Sequence, residues 1–558
     1  MKKKAYAYVL GALLSAALLS ACGGSGSEGG AAATEAAETA AGAQTSQTAV
    51  ADGTLRVAYA ADYQTLDAQK TTADYTVPIN VFDRLFEIVP ADGGSTEIVN
   101  SLVDDYTVSE DGLTYDFTLK SGIVFSDGTP LTADDVEYTI VRALTMPESV
   151  QTDIYSSIEG AQALMDGTAD TLSGLTVTDD THFTIKLDHP YAGFLGQLAT
   201  PCAVILSRSI TEAAGDSFGQ DPAVTIGSGP YVVSEWNRNQ SLILEANPNY
   251  WGEQPEATRI EILIVPDVST MSMMFQNGEL DVLDGDELDS AVFDSTYKTG
   301  QYDDKLVSAP RLSTTYMALN ANIEPLNDVR VRKAIQMAID RESILNTVYS
   351  GGGNLLDGIF SPGLIGYNED NQGWLQYDPE GAKALLEEAG YGGGFTLEIS
   401  SDNSAASGTL LVLQIIQQNL AEVGITVEIM PYDEASWLDL RRSGEMPSFV
   451  ATWTADYNDP DNFIYTFFGT EENTVQRSLN YADKDVIARV AAARSIVDED
   501  ERLAEYAALE KKIVEEDAAW VPLFSRTHNY VMGDRVASFT PHWAGYSAFI
   551  FSTFELAE

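Results

Sequence analysis

Apolar residues recur along this chain with two periods, and their alternation assigns its elements. In the first half short strand-like runs dominate, with apolar and polar residues alternating over 54–60 and 113–119. Residues 77–89 carry the apolar spacing of a helix. Thr132, followed three residues later by Asp135, forms a capping-box pattern that opens a helix running through Leu144. Residues 175–187 read as a hairpin turning at Asp179-Asp180, and Gly227-Ser228-Gly229-Pro230 as a tight turn ahead of strands at 231–236 and 242–246. A turn at 247–252 and a strand at 259–265 follow. The second half has a longer rhythm: strands at 314–320, 395–400, 425–430, 448–452 and 521–524 are separated by helices at 328–349, 379–389, 406–423, 433–443, 483–497 and 499–516. Strands alternating with helices predict an α/β lobe built on a mixed sheet.

Length and charge narrow the picture. The 558 residues, 44% of them hydrophobic, are enough for two or more domains with substantial cores. Thirty-one Lys and Arg stand against 84 Asp and Glu, a formal charge of −53. Such a field repels phosphate backbones and anionic headgroups and mildly favours cationic ligands, so nucleic acid is not an expected partner. Two cysteines, Cys22 and Cys202, make no disulfide framework.

The amino terminus reads as an export leader. Lys2-Lys3-Lys4 is a basic n-region, and 5–21 is an uncharged h-region that as a transmembrane span is barely long enough. Leu19-Ser20-Ala21-Cys22 resembles the bacterial lipobox, which implies a signal peptide over 1–21, lipidation at Cys22, and residence at the outer face of the cytoplasmic membrane or in the periplasm. Residues 22–51 are Gly-, Ala-, Ser- and Thr-rich and read as a flexible tether, whose thirty residues of coil would span roughly 30 Å.

The densest chemistry lies at 453–463, Trp-Thr-Ala-Asp-Tyr-Asn-Asp-Pro-Asp-Asn-Phe, just after the strand at 448–452. A carboxylate at a strand end, framed by Trp453 and Tyr457, can meet a ligand's positive charge where water is scarce; Asp456 is that carboxylate. Taken alone, the stretch reads first as an Asx-rich turn, since Asp, Asn and Pro favour turns for local reasons. Calcium is a third reading, since Asp456, Asn458, Asp459, Asp461 and Asn462 are all oxygen donors, but the EF-hand glycine and terminal glutamate are missing.

Several stretches taken in order resemble the family 5 extracytoplasmic solute-binding proteins of ABC importers: 109–131 with 132–136, 227–231, 247–252, 327–341, 378–391 and 453–463. The resemblance spans roughly residues 54–540. It implies a two-lobed α/β fold of the periplasmic-binding-protein type (class II, large) with a cleft and a hinge. Lobe I is expected from 52–310 plus 525–558, with an extra subdomain at about 80–208, and lobe II from 311–524. Crossovers are placed near 309–315 and 522–529. The implied cargo is a peptide, held extended between the lobes and passed by a monomer to membrane permease subunits, with its ammonium on the Asp of a W-x-x-D motif. Trp453-Thr454-Ala455-Asp456, with Tyr457, matches that motif, and Tyr155 is the matching first-lobe tyrosine. The chain departs from dipeptide-type members in the loop 400–408, which has no basic residue for a carboxylate. A strict dipeptide is therefore not expected, and longer peptides or ligands without a carboxylate stay open.

Other chemistries find little support in the residues. His182, His189, His528 and His542 make no close metal-ligand pair, so neither a zinc hydrolase nor a resident metal is expected, although relatives that carry nickel or oligosaccharides leave those cargoes open. Ser295-Thr296-Tyr297-Lys298 lacks the companion motifs of an S-x-x-K nucleophile, and Gly227-Ser228-Gly229-Pro230 lacks the remaining parts of a nucleotide fingerprint. Cys202 reads as core. No catalytic residue and no cofactor is assigned.

Overall fold

The computed structural model describes residues 53–72, 75–91, 95–402 and 407–557. The leader, Cys22 and the linker that follows lie outside the described residues, as does part of the 400–408 loop. Among the described residues no helix is long and apolar enough to cross a membrane.

The first sheet starts where the alternation does. Thr54–Tyr59 runs parallel to Arg259–Ile264, which is antiparallel to Ser241–Ala246, itself paired with Tyr231–Asn237. Leu55, Val57, Leu244 and Ile262 pack with Tyr231 and Phe551, each contributing about 1.5–3 kcal/mol of apolar burial. The turn before Tyr231 needs its glycines: a Cβ on Gly227 would fall 2.0 Å from the Val81 carbonyl oxygen, to which the Gly229 N–H donates at 2.9 Å.

Between the first two strands of that sheet the chain builds a separate antiparallel sheet in the order Val103–Val108, Thr114–Leu119, His182–Lys186, Leu175–Val177. The helix Ala133–Thr145 opens with the expected capping box, the Asp135 carboxylate accepting the Thr132 N–H at 2.9 Å. The helix expected over 77–89 does not form as one element. It occupies Thr76–Val81, and Phe86–Pro90 is instead a strand paired with Thr96–Asn100. The intervening polar pair explains the break: Asp83 accepts the Trp251 indole N–H at 2.8 Å, and Arg84 bridges to Val204, positions a continuous helix could not supply.

The second half is organised on a mixed sheet. Ser313–Leu319 lies between Ser448–Thr454 and Trp520–Met532, and beyond Ser448–Thr454 come Phe395–Asp402 and Ile425–Tyr432, the last two parallel. Val331, Ile335, Ile399, Ile416 and Leu523 fill its core. The helix expected over 328–349 is two helices, Val329–Ala338 and Arg341–Tyr349, because Asp340 leaves helical geometry and accepts the Ser343 N–H at 2.9 Å as an N-cap. The helix expected over 483–497 ends at Ala493, and the one over 499–516 turns into a π-helix after Lys511.

Trp520–Met532, of which the sequence showed only 521–524, is a 13-residue strand that serves two groups of strands. Its first part pairs with Ser313–Leu319 and Gly353–Leu355, its second with Leu306–Pro310 and Val282–Asp284. Pro522, which has no N–H to give, sits where the register shifts at Thr315/Tyr316. A further core runs from Phe117, Ile140 and Phe183 of the antiparallel sheet region to Phe463, Phe467 and Trp520, so the two halves share one buried apolar cluster.

Candidate ligand-binding site

Ser448–Thr454 carries the candidate residues to the end of the sheet. Trp453 and Thr454 stand in register with Thr314 and Ser313, and the Ala455 N–H donates to the Leu312 carbonyl at 2.8 Å, fixing where the strand ends. The chain then turns into the helix Asp461–Phe468. Asn462 ties the turn together: its amide donates to the Asp456 carboxylate at 3.0 Å, and its side-chain oxygen accepts the Asp456 N–H at 3.0 Å. The Trp453 indole N–H donates to the Asn462 carbonyl at 3.1 Å, which holds the ring beside the carboxylate.

The three aspartates of the turn have different partners. Asp459 pairs with Arg502 at 2.8 Å, and Asp461 pairs with Arg494 at 3.1 Å while accepting from Tyr191 at 2.8 Å and from Tyr457 at 3.1 Å. Among the described residues no cation forms an ion pair with Asp456. Its second donor is the Tyr546 hydroxyl, 3.1 Å away and equally near the Ala455 carbonyl. Tyr546 comes from the segment beyond Met532 and packs edge-on against Tyr75 at 4.9 Å. The carboxylate is half-buried. Desolvation raises its pKa above the ordinary aspartate value; hydrogen bonds from Asn462 and Tyr546 and the charge of Arg477 oppose this, and Asp153 adds to it. The arrangement can stabilise a cation that brings its own hydrogen-bond donors.

The remaining sequence candidates fall into different settings. Thr454 is half-buried in the strand, and Ala455 is buried with its carbonyl turned to Tyr546. Tyr457 is buried, and its hydroxyl meets Tyr191 at 2.8 Å, joining the turn to the 80–208 region. It also walls a separate hollow of about 320 Å³ with Ile88, Ile98, Asp459 and Arg502, which Asp456 does not line. Tyr155 is 1% exposed, and burial pushes its hydroxyl well up. Its near neighbour Asp153 is the exposed group whose charge reaches Asp456. Pattern reading missed Asn462 as a ligand-turn organiser, Tyr546 as a donor, and Asp153 and Arg477 as charged neighbours. Asn462 was within the motif; Tyr546 lies ninety residues away in an irregular segment, where no period marks it.

Residues 97–474 match the model of the bacterial extracellular solute-binding proteins, family 5. The dipeptide-binding protein of Escherichia coli is 30% identical over 407 residues, 70% of this chain and 73% of that protein. The periplasmic binding protein DppA of Helicobacter pylori, solved with the peptide STSA, superposes with a TM-score of 0.74 at 25% identity, covering 90% of this chain and 98% of its own. NikA of Brucella suis, solved with Fe(III)-EDTA, shares the fold with a TM-score of 0.79 at 23% identity over 90% of this chain and its whole length. With a family match over most of its length and a two-lobed fold common to these structures, this chain belongs to the bacterial extracellular solute-binding proteins of family 5.

Proposed function

We propose that this protein captures peptides between its lobes and delivers them to the membrane subunits of an ABC importer, with the peptide ammonium seated on Asp456. One observation carries the reading: of the three aspartates in the turn, Asp459 and Asp461 are matched by arginines and Asp456 is not. A half-buried carboxylate with two neutral hydrogen-bond donors and no ion pair among the described residues is suited to a ligand that supplies a contacting charge. The relatives named as dipeptide-binding, and the neighbour solved with a tetrapeptide, support the same cargo class.

Lobe I in this reading comprises 52–310 with 525–558, and lobe II 311–524. The two crossings then fall at the short link between Leu306–Pro310 and Ser313–Leu319 and within Trp520–Met532. Closure over a ligand follows from contacts made only when both lobes touch it. A lipid on Cys22 would hold a monomer at the outer face of the cytoplasmic membrane, beside its permease.

Native mass spectrometry of protein purified from cells tests the cargo. A ladder of peptide masses is expected. A metal chelate, a porphyrin or an oligosaccharide would replace this reading by another family cargo, and steady release of peptide fragments from added peptide would replace it by a hydrolase.

A further inference from the structure

In a chain so rich in carboxylates, almost every arginine has found an oxygen. Arg441, Arg442 and Arg477 are the exceptions among the described residues: no hydrogen bond or ion pair reaches their guanidinium groups, and Arg441 Nε is buried with no partner at all. They occupy one place. Arg441 and Arg442 end the helix Glu434–Ser443, and Arg477 follows the helix Glu471–Gln476, which packs beside it. Arg477 lies over the Trp453 ring at 4.7 Å and over Phe467 at 5.1 Å, and Arg441 over Trp437 at 5.4 Å. Arg477 and Arg441 are half-buried and Arg442 is exposed.

Ring contacts hold Arg441 and Arg477 in place but leave their N–H donors unspent. Mutual repulsion adds to the cost: burial, then the neighbouring Arg477 charge, push Arg441 down to about 10, and burial lowers Arg477 too, although Asp456 and Asp153 pull it back. An unmatched cationic cluster of this kind is stabilised by an arriving anion. Its position joins it to the ammonium site: Trp453, the platform under Arg477, donates to Asn462, which in turn holds Asp456.

We infer that Arg477, supported by Arg441 and Arg442, receives a carboxylate of the bound peptide on the same wall where Asp456 receives its ammonium. This rests on the peptide reading and adds to it a preference for ligands carrying both charges. The loop 400–408, which has no base, is then not where the carboxylate is recognised. Two sources share the chemistry: the peptide's C-terminal carboxylate, or an Asp or Glu side chain.

Calorimetry with alanine-based tri- to hexapeptides tests this, each as free acid, as C-terminal amide, and as amide with one internal Glu. For at least one length the wild-type protein should bind the free acid or the Glu-containing amide about tenfold more tightly than the plain amide. Recovery with Glu identifies the side chain as the source; preference for the free acid alone identifies the C-terminus. The difference should fall below about twofold in Arg477→Met and be partly restored in Arg477→Lys. Equal affinity of all three forms for the wild-type protein, or discrimination unchanged in folded Arg477→Met, overturns the inference while leaving the peptide reading intact. Failure of every peptide to bind removes both. The wild-type comparison needs no variant, so a poorly folded mutant does not protect the idea.

Discussion

At the scale of single residues the central contrast is between Asp456 and its neighbours. Asp459 and Asp461 are matched by arginines and hold the turn; replacing either should unfold the region, whereas Asp456→Asn should leave the fold intact. Removing one partner of a buried ion pair costs about 3–5 kcal/mol, so Asp456→Asn is expected to weaken peptide binding at least about a hundredfold by calorimetry. Unchanged affinity would remove Asp456 from the site. Because the ammonium needs the ionised carboxylate and burial raises the Asp456 pKa, wild-type affinity should hold near neutrality and decline as pH falls through that raised value. Asp456→Asn should show no such decline. Tyr546→Phe deletes one of two donors to the carboxylate, and about a tenfold loss of affinity is expected, with the decline moved to higher pH. Asp456 was marked as a candidate because a strand-end carboxylate between aromatics is a local pattern. Tyr546 and Arg477 were not, since what brings them there is the meeting of distant segments.

At the scale of elements, periodicity located the longer strands and helices, passed over shorter ones such as Val268–Gln276, Leu306–Pro310 and Asp461–Phe468, and misjudged where several of the others stop. The 77–89 run has apolar residues that suit either period, and what breaks it is a tertiary bond from Trp251 to Asp83. Asp340 between two helices was a readable cap that the continuous apolar spacing concealed. The strand expected over 521–524 runs on to Met532 through Arg526, Thr527, His528 and Asn529, polar residues that end the apolar run. They stay extended because strands flank them: Thr527 to Asn529 pair with Ser308 to Pro310, and Arg526 shares Asp286 with Arg311. Asp286→Ala leaves both arginines without that carboxylate, and a destabilisation of roughly 3 kcal/mol is expected from urea unfolding. A loss below about 0.5 kcal/mol would mean that strand pairing alone holds this crossing.

The molecule as a whole carries −53 charges and several carboxyls placed where charge is costly. Burial is the main cause that raises Glu287 and Glu510 to about 7 and Asp83 to about 6. A carboxyl raised on folding stabilises the protein below its unfolded pKa and loses that contribution as pH rises through the folded value. His528, raised above its ordinary value by Asp284 despite its burial, changes stability in the same direction. His542, pushed down to about 3 by burial, works the opposite way and is outnumbered. The urea midpoint is therefore expected to be lower at about pH 8 than at about pH 5, and Glu510→Gln should flatten the trend. A midpoint that rises over that interval would contradict the burial of these groups.

The unbroken strand has a mechanical corollary. Since Trp520–Met532 bonds with strands of both groups along its length, a swing of one proposed lobe against the other would be taken up as twist and bend of a continuous ribbon, not as rupture of its ladder. Opening should then leave the amide protons of Phe524 through Asn529 as slow to exchange with deuterium as those of the sheet interior, whether or not cargo is present.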